Sequence, residues 1–129
     1  MYIPKGKSKE DVVSRRKIII SQLSKLRGKD IYCPCLKAKV FIVKKSNTET
    51  ATWASVSYDS TIAALDLKNQ LKVASFDKFL PPKPAQKNKF GFDTMAKLIG
   101  RYGKSETKIM VGIKRGKVYI HYCITSLRK

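Results

Sequence analysis

Apolar residues recur with a helical period near the amino terminus, over residues 9–27. They follow one another at roughly every third or fourth position: Val12, Val13, Ile19, Ile20, Leu23 and Leu26. Ser8 precedes this run as an N-cap residue, acidic residues occupy the first turn, and Gly28 follows where a C-cap glycine belongs. The pattern predicts a helix over residues 9–27.

The next part of the chain has the composition of strands. Residues 38–45 are rich in β-branched side chains and predict a strand, and Pro34 restricts the segment before it to a sheet edge or an irregular lead-in. Residues 46–48 have turn chemistry, and the alternation over residues 50–58 indicates a second short strand.

A second helix is predicted over residues of about 61–79, capped by Asp59 or Ser60. The prolines within residues 81–84 end it, because proline lacks the amide donor that a helix interior needs. The stretch from there to Lys89 is predicted to be a polar connector. The apolar residues of 90–102 fit either a helix or a strand, and the pattern does not decide between them.

The carboxyl-terminal part predicts a β-hairpin, because apolar residues alternate on both sides of Arg115-Gly116. A two-residue loop would place Ile113 opposite Val118 and all the aliphatic side chains on one buried face. A three-residue loop would slip this register and mix the faces. We expect the former, which puts His121 on the less apolar face.

The chain as a whole is predicted to be a single α+β domain over residues 1–129. It would have an amino-terminal helix, a central helix and an antiparallel sheet of about four strands that ends in the hairpin. No apolar run reaches the length of about 18 residues that a membrane span needs, and the first residues lack the apolar stretch of a secretory signal. We therefore expect no membrane partner and a cytoplasmic location.

Charge changes the picture most. The chain has 28 Lys and Arg residues against 9 Asp and Glu, a formal net charge of +19. Such an excess destabilises a compact chain by self-repulsion, and a polyanion relieves it. The basic residues are spread along the sequence, which is typical of a folded basic domain. The composition predicts a nucleic-acid partner; a basic surface that serves solubility alone is the alternative.

Candidate binding residues are the basic side chains and the aromatic residues among them. Tyr102 lies between two glycines and is the better stacking candidate, whereas Phe90 and Phe92 are expected in the core. The predicted nucleic-acid-binding residues are Arg15, Arg16, Lys87, Lys89, Lys97, Arg101, Tyr102 and Lys104.

His121 is the one histidine in the chain. In the expected register Tyr119, His121 and Thr125 line one surface, with Lys108 across from it. A histidine transfers protons near neutral pH, and metal-independent RNA cleavage needs such a group beside cations. A histidine buried in the core is the competing interpretation.

The three cysteines do not indicate a disulfide framework. Cys33, Cys35, His121 and Cys123 have the residue types of a zinc site, but one intervening residue within each pair is a poor match to structural zinc spacing. Small core residues are the favoured interpretation, and no cofactor or metal is predicted. Phosphate-binding glycine loops and paired carboxylates for magnesium are absent from the sequence.

The order of several features resembles a known family over residues of about 31–126. They are Glu49-Thr50-Ala51, the segment 57–61, Ala74, Gln86-Lys87, and the strands 108–112 and 119–122. Together they are similar to small domains of the barnase/EndoU/colicin/RelE-like nuclease superfamily found in phage and mobile-element polyproteins. The resemblance implies an α+β fold whose curved antiparallel sheet holds the active site, and metal-independent RNA cleavage. His121, Thr125 and Ser126 would then be catalytic, with Arg101 or Lys108 as phosphate ligands.

The sequence therefore predicts a nucleic-acid-binding protein, with RNA favoured over DNA. The leading hypothesis is a small metal-independent endoribonuclease or toxin-like protein of a phage or mobile element. One alternative is a non-catalytic basic protein that packages or shields nucleic acid. Another is an interaction module that binds an acidic host protein.

Overall fold

The structure, a computed structural model, describes residues 2–102 and 105–126. Over these residues the fold is α+β, with five α-helices and one six-stranded sheet. This confirms the predicted class and the closing hairpin, although the described residues form more helices and strands than the pattern indicated. None of the helices in this part of the chain has the length and apolar character needed to cross a membrane.

The sheet is mixed, with strand order β1-β2-β6-β5-β4-β3. The neighbouring strands are antiparallel except for β2 and β6, which run parallel, so the predicted antiparallel sheet of about four strands is corrected to a mixed sheet of six over the described residues. The helices are α1 (Lys9–Leu23), α2 (Lys44–Ala54), α3 (Tyr58–Leu65), α4 (Leu67–Val73) and α5 (Pro84–Phe90). The strands are β1 (Asp30–Cys33), β2 (Ala38–Phe41), β3 (Ser75–Leu80), β4 (Thr94–Tyr102), β5 (Ser105–Lys114) and β6 (Val118–Ser126).

Two apolar clusters lie on opposite faces of the sheet. In the larger cluster, which we call the helix-side core, helices α1, α2, α3 and α4 pack against one face of the sheet. Its members include Ile19, Ala51, Leu71, Ile109 and Ile124. The smaller cluster, which we call the groove-side cluster, lies on the other face and includes Phe90 at the end of α5. Its buried members are Phe90, Phe92, Met95, Met110, Ile120, Tyr122 and Cys123.

Helix α1 begins where the sequence predicts. The Ser8 side chain accepts a hydrogen bond from the backbone N–H of Asp11 at 3.1 Å, which satisfies one of the free amides of the first turn. The α-helix ends at Leu23, and a 3₁₀ turn over Ser24–Leu26 carries the chain to Gly28, whose φ is +80°. The predicted helix over residues 9–27 is thus confirmed apart from its last turn.

Helix α2 corrects the prediction of a turn and a strand over residues 46–58. Its buried face carries Asn47, Thr50, Ala51 and Ala54, which recur at helical spacing. The Asn47 amide donates to the carbonyl of Leu23 at 3.1 Å, and the Thr50 hydroxyl donates to the carbonyl of Tyr122 at 3.1 Å. These long-range hydrogen bonds stabilise a helix that the weak local propensities of Asn and Thr do not favour.

The predicted helix over residues 61–79 is also corrected. It is divided into α3 and α4 at Asp66, and its last part is the strand β3, which pairs with β4. The N-cap is Ser57, whose side chain accepts from the backbone of Ser60 at 3.1 Å. The expected connector before Lys89 contains helix α5, which starts at Pro84. Proline is favoured in a first turn because no hydrogen-bond donor is needed there.

The hairpin exists, but its predicted register was wrong. The turn has three residues, with Arg115 and Gly116 at positive φ (53° and 68°), and Ile113 lies opposite Tyr119. A β-bulge then follows, so that Val111 pairs with His121 and Met110 with Cys123. The three-residue turn thus places His121 on the same face as Val111. The bulge accommodates Tyr122 as an extra residue in β6, so that Cys123 and Thr125 lie on the opposite face from His121.

Candidate functional site

A groove of about 640 Å³ opens on the sheet face opposite α1, α3 and α4. Strands β4, β5 and β6 form its floor, where Met95, Met110 and Cys123 are exposed by 9% or less. The end of β3 and the start of α5 form one wall, and α2 contributes to the lining through Glu49 and Trp53. We call this the basic groove, because its charged lining is Lys78, Lys83, Lys97, Lys108 and Glu49.

The charge of the basic groove is strongly positive. Four lysines line it against one carboxylate, that of Glu49. Lys97 makes an ion pair with Asp77, with 3.2 Å between the ammonium nitrogen and a carboxylate oxygen. Thr125, which pairs with Lys108 across β5 and β6, adds a hydroxyl to the lining. Cations around an apolar floor are suited to a ligand that is both anionic and partly apolar.

Two aromatic residues donate hydrogen bonds to Glu49, the single acidic residue that lines the groove. The Glu49 carboxylate accepts a hydrogen bond from the Trp53 indole N–H at 2.8 Å and another from the Tyr122 hydroxyl at 2.9 Å, both on Oε1. Burial, together with Glu49, raises the pKa of Tyr122 to about 12, so the hydroxyl stays a donor. The two hydrogen bonds fix the carboxylate and, through it, the edge of the Trp53 ring.

Phe90 and Phe92 support the floor from the side, which confirms that they are core residues. Their rings stack with centroids 5.3 Å apart, and both meet the Tyr122 ring edge to face. Phe92 lies directly over Gly112 of β5, where a Cβ atom would collide with its ring. The glycine is therefore required for the close approach of Phe92 to the strand, and this contact brings α5 towards the sheet.

His121 does not lie on the surface that the expected register predicts. It is 0% exposed, and neither ring nitrogen has a hydrogen-bond partner. Burial lowers its pKa to about 4. The side chain shares the face of Val111, away from the groove that contains Lys108 and Thr125. The geometry thus separates His121 from the residues that it was expected to act with.

Arg15 was predicted to bind nucleic acid, but its side chain is fully buried. Its guanidinium donates to the carbonyls of Pro4 and Gly6 at 2.9 and 2.7 Å, and to those of Ser55 and Val56 at 2.9 and 3.3 Å. These bonds occupy the guanidinium, so Arg15 is a structural residue and not a phosphate ligand. Arg16, also predicted to bind nucleic acid, is exposed, but it lies on α1 and not in the groove.

Arg101 and Tyr102 end strand β4 and are both exposed. Arg101 lies opposite Glu106, with 3.7 Å between their charged groups. Both residues are paired in the β4–β5 ladder, which decides the open choice between a helix and a strand for this segment in favour of the strand. Neither lines the basic groove, so the stacking role predicted for Tyr102 has no support from this arrangement.

Lys87 and Lys89 are exposed on α5 and do not line the groove. Lys97 and Lys108 are the predicted basic residues that the fold brings together inside it. Lys104 lies outside the described residues, and so does the side chain of Ser126.

The cysteines do not converge on His121. Cys33 and Cys35 lie near each other at the β1–β2 turn with 3.6 Å between their sulfur atoms, and Cys123 belongs to the groove-side cluster. Within residues 2–102 and 105–126 no group of three or more His, Cys, Asp and Glu is placed to hold a metal ion. Burial raises the pKa of Cys123 to about 12, which keeps it a thiol at neutral pH.

The groove contains residues that the sequence analysis missed: Glu49, Trp53, Lys78, Lys83 and Tyr122. Glu49 and Trp53 are four residues apart, a spacing that places them on one face of a helix. That signal was hidden because the segment was interpreted as a strand. Lys78 was assigned to a helix and Lys83 to a connector, and only the pairing of β3 with β4 brings them to the groove.

The chain was compared with protein-family models, with curated proteins and with solved structures, and none of these comparisons gives a match.

Proposed function

We propose that this protein binds nucleic acid through the basic groove, as a binding protein and not as a ribonuclease centred on His121. The observation that supports this most directly is the set of four groove lysines, of which Lys97 is paired with Asp77, around a single lining carboxylate that is hydrogen-bonded, in a chain of net charge +19. Phosphates neutralise such a surface and release counterions, which gives salt-dependent affinity.

The burial of His121 favours binding over cleavage. Acid–base catalysis needs a group within hydrogen-bond reach of the proton that it moves. His121 is 0% exposed and on the other face of β6 from the groove. The groove-lining Cys123 is held as a thiol and the Glu49 oxygen already accepts two hydrogen bonds. The arrangement supports holding a polyanion rather than transferring a proton within it.

The test compares two double variants with the same change in net charge. Lys78→Gln/Lys108→Gln removes two groove cations, and Lys17→Gln/Lys68→Gln removes two exposed cations from α1 and α4. Affinity for labelled RNA and DNA oligonucleotides is measured over a range of salt concentrations. If the groove variant loses two phosphate contacts, the negative slope of log K against log salt for single strands should become shallower by about 1.4. The control should keep the wild-type slope.

Two results would overturn the proposal. If both double variants weaken binding equally, the interaction is with diffuse charge and not with the groove. If the purified protein cleaves RNA in the presence of EDTA and His121→Ala abolishes that cleavage, the protein is a ribonuclease.

A further inference from the structure

We infer that the basic groove is selective for single-stranded nucleic acid, with one unpaired base stacked on the indole ring of Trp53. The inference rests on the proposed function and adds the class of ligand to it. It concerns RNA and DNA single strands alike, since both carry bases with a free π-face.

The first observation is the position of Trp53. It lies in the last turn of α2, lines the groove, and is 54% exposed. Large aromatic side chains ordinarily bury most of their surface, so a tryptophan left half exposed beside four cations is available for a ligand. Base–aromatic stacking is tolerant of sequence, as a general binding protein requires.

The second observation is that the ring is already oriented. Its N–H donates to Glu49, which also accepts from Tyr122 of β6. The polar edge of the indole is therefore fixed to the sheet, while part of the ring remains exposed. A side chain that is ordered before binding loses less conformational entropy when the ligand arrives.

The third observation is the chemistry of the floor. Met95, Met110 and Cys123 give an apolar surface beneath the lysines. In a duplex the bases are stacked inside the helix, so only its phosphates could meet this site and the floor would stay empty. A single strand can place phosphates against the lysines and a base against the apolar floor or Trp53. The groove therefore favours unpaired strands.

Trp53 is the one tryptophan of the chain, so its fluorescence reports on this site alone. The full-length protein is titrated with oligo(U), with oligo(dT), and with a DNA duplex of the same length at one salt concentration. We expect saturable quenching by both single strands and little quenching by the duplex. The two single-stranded arms also determine whether RNA or DNA is preferred.

Affinity for a labelled oligo(U) is measured by fluorescence polarisation in parallel. Trp53→Ala should weaken binding by about 5- to 150-fold, whereas Trp53→Phe should retain most of the affinity, because a phenyl ring still stacks. Tyr32→Ala is the matched control: it removes an exposed aromatic side chain on the edge strand β1, and it should bind as the wild type does. Circular dichroism verifies that each variant is folded.

Equal affinity and equal quenching with the duplex would overturn the selectivity for single strands. Salt-dependent binding without quenching, and unchanged in Trp53→Ala, would overturn the stacking role and leave the proposed function standing. Failure of every polymer to bind would overturn the proposed function itself.

Discussion

His121 is kept neutral by its surroundings rather than by a partner. Both of its ring nitrogens are buried without a hydrogen bond, so protonation would place an uncompensated charge inside the fold. Burial accordingly lowers its pKa from 6.5 to about 4. A residue chosen for its chemistry in the sequence thus contributes to the dependence of stability on pH.

We predict that the protein loses stability through this residue between pH 6.5 and about 4. The unfolded chain takes up a proton on His121 from pH 6.5 downwards, while the folded chain does so only near pH 4, so acid favours unfolding. His121→Met cannot titrate and should escape this loss, which amounts to about 2–3 kcal/mol at pH 4.5. Urea unfolding of both proteins at pH 7.5 and 4.5 measures it.

The difference between His121→Met and the wild type should therefore depend on pH. A difference that stays constant from pH 7.5 to 4.5 would mean that the imidazole does not titrate differently in the two states. Binding of oligo(U) by His121→Met at pH 7.5 should equal that of the wild type, because His121 lies outside the groove.

At the scale of elements, Arg15 connects segments of the chain that are distant in sequence. It extends from α1 to the carbonyls of Pro4 and Gly6 in the amino-terminal segment, and to those of Ser55 and Val56 after α2. One side chain thus satisfies backbone acceptors from two separate segments. Because Arg15 is fully buried, water cannot reach these carbonyls to replace its hydrogen bonds when the guanidinium is removed by mutation.

Arg15→Met should destabilise the protein by about 3 kcal/mol or more, since several carbonyls lose a charged donor at once. Arg16→Met, at the neighbouring exposed position, is the matched control and should change stability by less than about 0.5 kcal/mol. The midpoints of urea unfolding compare the two. Equal midpoints would contradict the anchoring role of Arg15.

The success of element prediction depends on where the stabilising contacts come from. Helix α1 was predicted because its cap and its apolar spacing are local to residues 8–28. Helix α2 was missed because its stabilising bonds go to Leu23 and Tyr122, which are distant in sequence. Residues of strand β3 were predicted to continue a helix. The strand lies at the edge of the sheet and is held by its pairing with β4, and its own residues contain no pattern that indicates this partner.

The whole molecule is dominated by its net charge of +19. Two ion pairs are recorded in the part of the chain that the structure describes, Lys97 with Asp77 and Arg101 with Glu106, and both involve partly exposed groups. Such pairs contribute little, whereas repulsion among the surplus cations acts over the entire surface.

We predict that salt stabilises this protein. Raising sodium chloride from about 0.02 to about 0.5 M shortens the screening length and weakens the repulsion, so the melting temperature should rise. Lys17→Gln/Lys68→Gln carries less surplus charge, and its melting temperature should rise less over the same range. Thermal melts followed by circular dichroism provide the measurement. A melting temperature that falls with salt would mean that attractive pairs outweigh the repulsion.

The sequence by itself determined the α+β class, the start of α1, the closing hairpin and the excess of positive charge. Composition and short-range periodicity decide these properties, because they depend on neighbours along the chain. The membership of the site was only partly predictable: Lys97, Lys108 and Thr125 lie in the groove, while Arg15 and His121 are buried away from it.

The tertiary structure alone decided which side chains share a face. A three-residue turn moves His121 into the interior, and one bulge in β6 then places Thr125 on the opposite face. Neither the turn length nor the bulge has an unambiguous signal in the residues around Gly116. The groove likewise unites α2, the β3–α5 connection and the sheet, which are far apart along the chain. Strand register and long-range packing depend on the burial of the whole core, so a local sequence pattern cannot predict them.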